Sequence, residues 1–150
     1  MILSTRNICM VHFTLLNAIC YKLLTAPADI SGHGLVFILG RAMRLPDAQF
    51  SKDDPAIGLV VIVLMQLSIV DIAAYIDPSI SFLSIAVPFR LTLSFIVSGV
   101  GYFSQGENIA LSNSVVFTFS FLEVIFQFWL YVSVRDDRMR VIREQVPVDE

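Results

Sequence analysis

Two long apolar runs each carry one full charge near the middle. Arg90 lies in ISFLSIAVPFRLTLSFIVSGVGYF (80–103), and Glu123 lies in SNSVVFTFSFLEVIFQFWLYVSV (112–134). Each run exceeds the roughly 20 residues that a helix needs to cross a bilayer. A charge at the bilayer centre costs roughly 2.5–3.5 kcal/mol on insertion scales. Opposite charges at matched depth on neighbouring spans therefore predict a pair turned towards the interior of a helix bundle. Composition agrees: 56% of the 150 residues are hydrophobic and 15% charged, where a water-soluble domain carries about 25% charged residues. The formal charge of −3 says little about partners, because the charges gather at the ends and in one loop. No basic patch is interleaved with base-stacking aromatics, which argues against a nucleic-acid partner.

The expected fold class is all-α, a polytopic membrane helix bundle of four transmembrane helices plus one amphipathic or re-entrant helix. A single transmembrane domain covers 1–134, with spans at about 8–25, 56–76, 80–103 and 112–134, and 135–150 forms a polar cytoplasmic tail. The first run, ICMVHFTLLNAICYKLL (8–24), is short and interrupted by His12 and Asn17. A retained span is expected, with His12 and Asn17 bonded to another helix; a cleaved signal peptide is the competing reading. Cys9 and Cys20 share that helix about 16 Å apart along its axis, too far for a disulfide.

Within 27–55, the core LVFIL (35–39) is too short to span. Leu35, Ile38, Leu39, Ala42 and Leu45 keep the 3–4 spacing of one helical face beside Arg41 and Arg44. An interfacial or re-entrant helix ending at Pro46 follows, with a fifth span through 30–45 as the alternative. Asp54-Pro55 is a helix-start signal. Asp77-Pro78 separates the second and third spans so briefly that they should form an antiparallel hairpin, and SQGENIAL (104–111) joins the last two as tightly. Arg135, Arg138, Arg140 and Arg143 follow the last span and favour a cytoplasmic C-terminus. With four spans the N-terminus is cytoplasmic too. Trp129 and Tyr131 at one end, and Tyr102 and Phe103 at the other, fit interface anchoring.

The polar centre can be placed by depth. Arg90 is about 15 Å from Ile80, Glu123 about 17 Å from either end of its span, and Asp71 about 8 Å from Ile76. Arg90, Ser94, Ser98 and Gly101 share one face. So do Ser120, Glu123, Gln127 and Tyr131. The expected network is the pair Arg90 and Glu123, with Ser94 and Gln127 completing the hydrogen bonds and Asp71 as a second partner for the arginine. Pro88 frees a carbonyl near residue 84 for Ser84, water or a substrate to satisfy. Such a pair either fixes helix register or serves a transport, proton or headgroup site. No nucleophile–base set or HExxH is present, no paired aspartates lie within the spans, and nothing clusters with His12 as a metal set would. No catalytic, metal or cofactor-binding residue is therefore assigned, and no cofactor.

The segments RAMRLP (41–46), VPFRL (87–91), SNSVVF (112–117), FLEV (121–124) and VRDD (134–137) resemble the fungal "increased loss of mitochondrial DNA" family. The similarity runs over roughly 35–140, and the order and spacing of the pieces make it more specific than any one of them. It carries Arg90, Asn113, Ser114, Glu123 and Asp71 as matched positions. Related chains can carry a longer acidic extension than this tail. The resemblance implies a small multi-pass protein of the endoplasmic reticulum membrane, and the family name implies a mitochondrial-genome phenotype without contact to that DNA. Arg6 is the only basic residue before the first apolar run, unlike a mitochondrial presequence. The expected function is a non-enzymatic membrane subunit or scaffold supporting lipid and membrane homeostasis. Its partners would be the lipid bilayer and another membrane protein. A channel or transporter subunit using Arg90 and Glu123 is the alternative.

Overall fold

The computed structural model describes residues 4–51, 53–104 and 110–145. Most of the expected 104–111 loop and the end of the 135–150 tail lie outside them. Six helices occur among the described residues: α1 (Thr5–Thr25), α2 (Pro27–Ser31), α3 (Gly34–Ala42), α4 (Pro55–Ile76), α5 (Ile80–Phe103) and α6 (Ser114–Gln145). Four of them, α1, α4, α5 and α6, are long and apolar enough to cross a membrane.

Local chemistry sets most of the boundaries. Ser4 caps α1 by accepting from the Asn7 N–H. Asp54 accepts from the Ala56 N–H, with Pro55 in the first turn of α4, where its missing donor costs nothing. Asn113 starts α6: its Oδ1 accepts from the Val116 N–H at 2.9 Å, and its Nδ2 donates to the Ala110 carbonyl at 3.0 Å. α5 continues as a helix through Pro88.

The stretch 27–45 forms two short helices where the sequence suggests one. At nine residues, α3 is about 13 Å long and cannot cross a membrane. It ends with the Arg44 N–H bonded to the Arg41 carbonyl and the Leu45 N–H bonded to the Gly40 carbonyl. This pairing puts the first of the two donors in the left-handed region, and Arg44 adopts it at φ 55°.

The bundle has a terminal side, where α1 starts and α6 leaves, and a loop side, which holds α2 and α3. α1 packs on α4, and α5 packs on α6, with α6 also touching α1 and α3. The expected α4–α5 hairpin is therefore corrected. The turn at 77–79 makes the two helices antiparallel, but each packs on another partner. On the terminal side, Ile8, Cys9, Ala74, Leu83, Val87, Leu130 and Val134 form one core drawn from all four long helices. Leu16, Cys20, Leu23, Ile57, Val61 and Leu64 form a second core between α1 and α4. Outward faces stay apolar, with Leu59, Ile69, Phe89 and Phe95 all exposed, as lipid contact requires. The aromatics Tyr102, Phe103, Trp129 and Tyr131 are exposed as well.

Candidate functional site

Each long helix turns one stripe inward. On α1 the buried stripe is Thr5, Ile8, Cys9, His12, Leu16, Cys20 and Leu23, with the 3–4 spacing of a single face. On α4 it is Ile57, Val61, Leu64, Ser68, Asp71 and Ala74. α5 contributes Leu83, Val87, Ser94 and Gly101, and Arg90 lies within the same stripe. α6 contributes Phe117, Ser120, Glu123, Gln127, Leu130 and Val134. The four stripes bring one ionisable side chain each to a common centre: His12, Asp71, Arg90 and Glu123.

These four close a ring of hydrogen bonds. Arg90 Nη1 donates to Asp71 Oδ1 at 2.8 Å, and Nη2 donates to Glu123 Oε1 at 2.9 Å. His12 bridges the same two carboxylates from the other side. Its Nδ1 lies 2.7 Å from Asp71 Oδ2, and its Nε2 lies 2.7 Å from Glu123 Oε2. Gln127 Nε2 adds a third contact to Glu123, donating to Oε1 at 3.0 Å. All four carboxylate oxygens are thus engaged from within the bundle. His12, Asp71 and Glu123 are buried, and the Arg90 side chain keeps 17% of its surface exposed.

Of the residues expected at this centre, Arg90, Glu123, Asp71 and Gln127 come together. Ser94 does not join them. Its hydroxyl donates to the Arg90 backbone carbonyl at 2.9 Å, the usual outlet for a serine within a helix. Asn17 likewise donates to the Phe13 carbonyl of its own helix at 2.8 Å, which corrects the expected interhelical bond. The Ser84 hydroxyl donates to the Ser81 carbonyl at 2.9 Å, so it does not satisfy the carbonyl that Pro88 leaves open.

His12 is the member that sequence reasoning placed only as a generic polar contact. The missed signal is depth. His12 lies about 10 Å into α1 from the terminal side, and Asp71 lies about 8 Å into α4 from that same side. A histidine and an aspartate at one level on adjacent spans are as informative as the Arg90–Glu123 match.

A second polar locus joins α3 to the start of α6. The Ser114 N–H donates to the Pro46 carbonyl at 3.0 Å, and Ser114 Oγ accepts from the Ala48 N–H at 3.4 Å. Gly40 sits so close that a Cβ there would lie 2.6 Å from Ser114 Cβ. The SNS run at 112–114 therefore caps one helix and docks another. Towards the loop side, the hydroxyls of Ser98, Ser112 and Thr118 are buried without a partner, as is Gln127 Oε1 beside the ring. No group of three or more His, Cys, Asp or Glu suited to a metal ion occurs among the described residues.

The model of the family described as "Increased loss of mitochondrial DNA protein 1" matches residues 3–144. Protein ilm1 of Schizosaccharomyces pombe is 26% identical over 151 aligned residues, covering 100% of this chain and 92% of that protein. Protein ILM1 of Saccharomyces cerevisiae is 25% identical over 136 residues, covering 91% of this chain and 66% of that protein. No solved structure matches.

Proposed function

The chain belongs to the increased loss of mitochondrial DNA protein 1 family, and from that membership we propose a non-enzymatic scaffold of the endoplasmic reticulum membrane. In this reading it supports membrane and lipid homeostasis as a subunit beside another membrane protein, and it affects the mitochondrial genome indirectly. Both termini face the cytoplasm.

The observation that carries the reading is the saturation of the charged ring. Every oxygen of Asp71 and Glu123 already has a partner inside the chain. A carboxylate held this way ties helices together, and a ring bonded within the chain is what a structural link between spans requires. The ring takes one side chain from each long helix, as a four-way clamp would.

The test joins two measurements on the tagged full chain. Mild-detergent purification from reticulum membranes is expected to recover a stable larger membrane complex. Reconstitution of the pure chain in liposomes is expected to give no selective ion flux. Flux that disappears with Glu123→Gln would overturn the scaffold reading in favour of a channel or transporter subunit. Substrate turnover that disappears with the same substitution would overturn it in favour of an enzyme.

A further inference from the structure

The position of His12 between two carboxylates sets a proton count. A carboxylate oxygen only accepts hydrogen bonds unless it carries a proton itself. Nδ1 and Nε2 each lie 2.7 Å from such an oxygen. Both contacts are hydrogen bonds only if two protons lie on the line from Asp71 through His12 to Glu123. A neutral imidazole supplies one. The second resides on the ring or on one of the carboxyl groups.

Charge balance requires the same count. With the second proton, Arg90, Asp71, Glu123 and His12 sum to zero. Without it they sum to −1, and one 2.7 Å contact sets two lone pairs against each other. A net charge at this depth and burial is costly. Among the described residues, the charged side chains bonded to the ring of His12 are Asp71 and Glu123. α4 offers Asp71, α6 offers Glu123 with Gln127 and the Phe126 ring 5.1 Å away, and α5 offers Arg90 through the two carboxylates. On α1 itself Cys9 lies one turn before His12 and is buried.

We propose that the Asp71–His12–Glu123 line is a proton-binding site inside the bundle, which takes up one exchangeable proton and passes it between the two carboxylates through the imidazole. The transfer balances without any other reactant. The O–H bond on Asp71 breaks as an N–H bond forms at Nδ1. The N–H bond at Nε2 breaks as an O–H bond forms on Glu123. Arg90 stays bonded to the remaining oxygen of each carboxylate and holds both in place. The site needs only the geometry of the ring and is independent of the scaffold reading.

The test uses the full chain with His33→Asn, which leaves His12 as the sole histidine. The protein is labelled with nitrogen-15 at histidine, reconstituted in lipid nanodiscs, and followed by solid-state NMR from about pH 5 to about pH 10. Two protons shared along the line at neutral pH, with one released per chain as the pH rises, are the expected result. A single N–H on His12 with both carboxylates ionised at neutral pH would overturn the proposal, and so would a spectrum that does not change across the range. Glu123→Gln removes one negative charge and is expected to bind one proton fewer. Should that variant not accumulate, the titration of the unsubstituted ring still decides.

Discussion

On the terminal side, all four long helices share one apolar core around Val87 and Leu130. On the loop side, α1 and α4 form a second core against which Phe119 of α6 and Ile30 of α2 also pack, and α6 is held further by α5 and by the short α3. The two halves therefore depend on different contacts. The terminal half is joined by large side chains that meet from every direction. The loop half adds to its own apolar core the close approach of small residues, Gly40 to Ser114 and Gly101 to the Leu111 carbonyl. The charged ring lies between them and links the α1–α4 pair to the α5–α6 pair. Lipid is as apolar as leucine, so burial alone does not drive helices together in a membrane, and polar links and close packing carry more of the association. The difference between the halves shows which contacts specify the arrangement and which merely fill it.

Removing the link should have the largest effect. Arg90→Met leaves Asp71 and Glu123 facing each other with only His12 between them. Breaking a buried pair in this way costs about 3–5 kcal/mol, so steady-state protein level and thermal stability in detergent should both fall sharply. The ring also predicts the failure of a rescue that a simple pair would allow. Exchanging the charges, by Arg90→Glu with Glu123→Arg, puts a carboxylate beside Asp71 and a guanidinium beside His12. The exchange should restore little, and full recovery of protein level would show that the four groups do not act as one ring.

The loop half should respond to a single methyl group. Gly40→Ala places a Cβ 2.6 Å from Ser114 Cβ and should cost about 1–3 kcal/mol through overpacking. Its effect should be confined to α3, so that a cysteine introduced at Ile38 changes its labelling rate while one at Ile69 does not. Equal changes at both positions would mean that the two halves are not separable. The smallest effect has the opposite sign. Arg44 holds a left-handed conformation that costs a non-glycine residue about 1–2 kcal/mol. Arg44→Gly should therefore raise the melting temperature slightly, by ~1 kcal/mol of stability once the greater freedom of glycine in the unfolded chain is counted. A loss of stability would show that the Arg44 side chain makes a contact worth more than the strain.

Much of this arrangement could be read from residue order. Run length and mid-span charge located the four long helices, and rise per residue matched Arg90 with Glu123. Two features were out of reach for physical reasons. Spacing along one helix gives the face a residue occupies but not which neighbour that face meets. For that reason Ser94, on the same face as Arg90, was expected in the ring although its hydroxyl bonds within its own helix. Chain proximity likewise suggested that α4 and α5 pair, whereas packing joins α4 to α1. His12 shows the reverse. Its short, interrupted run looked like the weakest span, and the polar group that weakened the run bonds α1 to both α4 and α6.

The separation of 111 residues between His12 and Glu123 has a consequence for biogenesis. Translation proceeds at roughly 5–20 residues per second, so the first helix waits roughly 5–20 seconds for the last to be made. During that interval the imidazole of α1 has, at best, Asp71 to bond with, and the arginine of α5 has no glutamate. Until then these groups lack their partner on the last helix, and the arrival of α6 is the step that completes the ring.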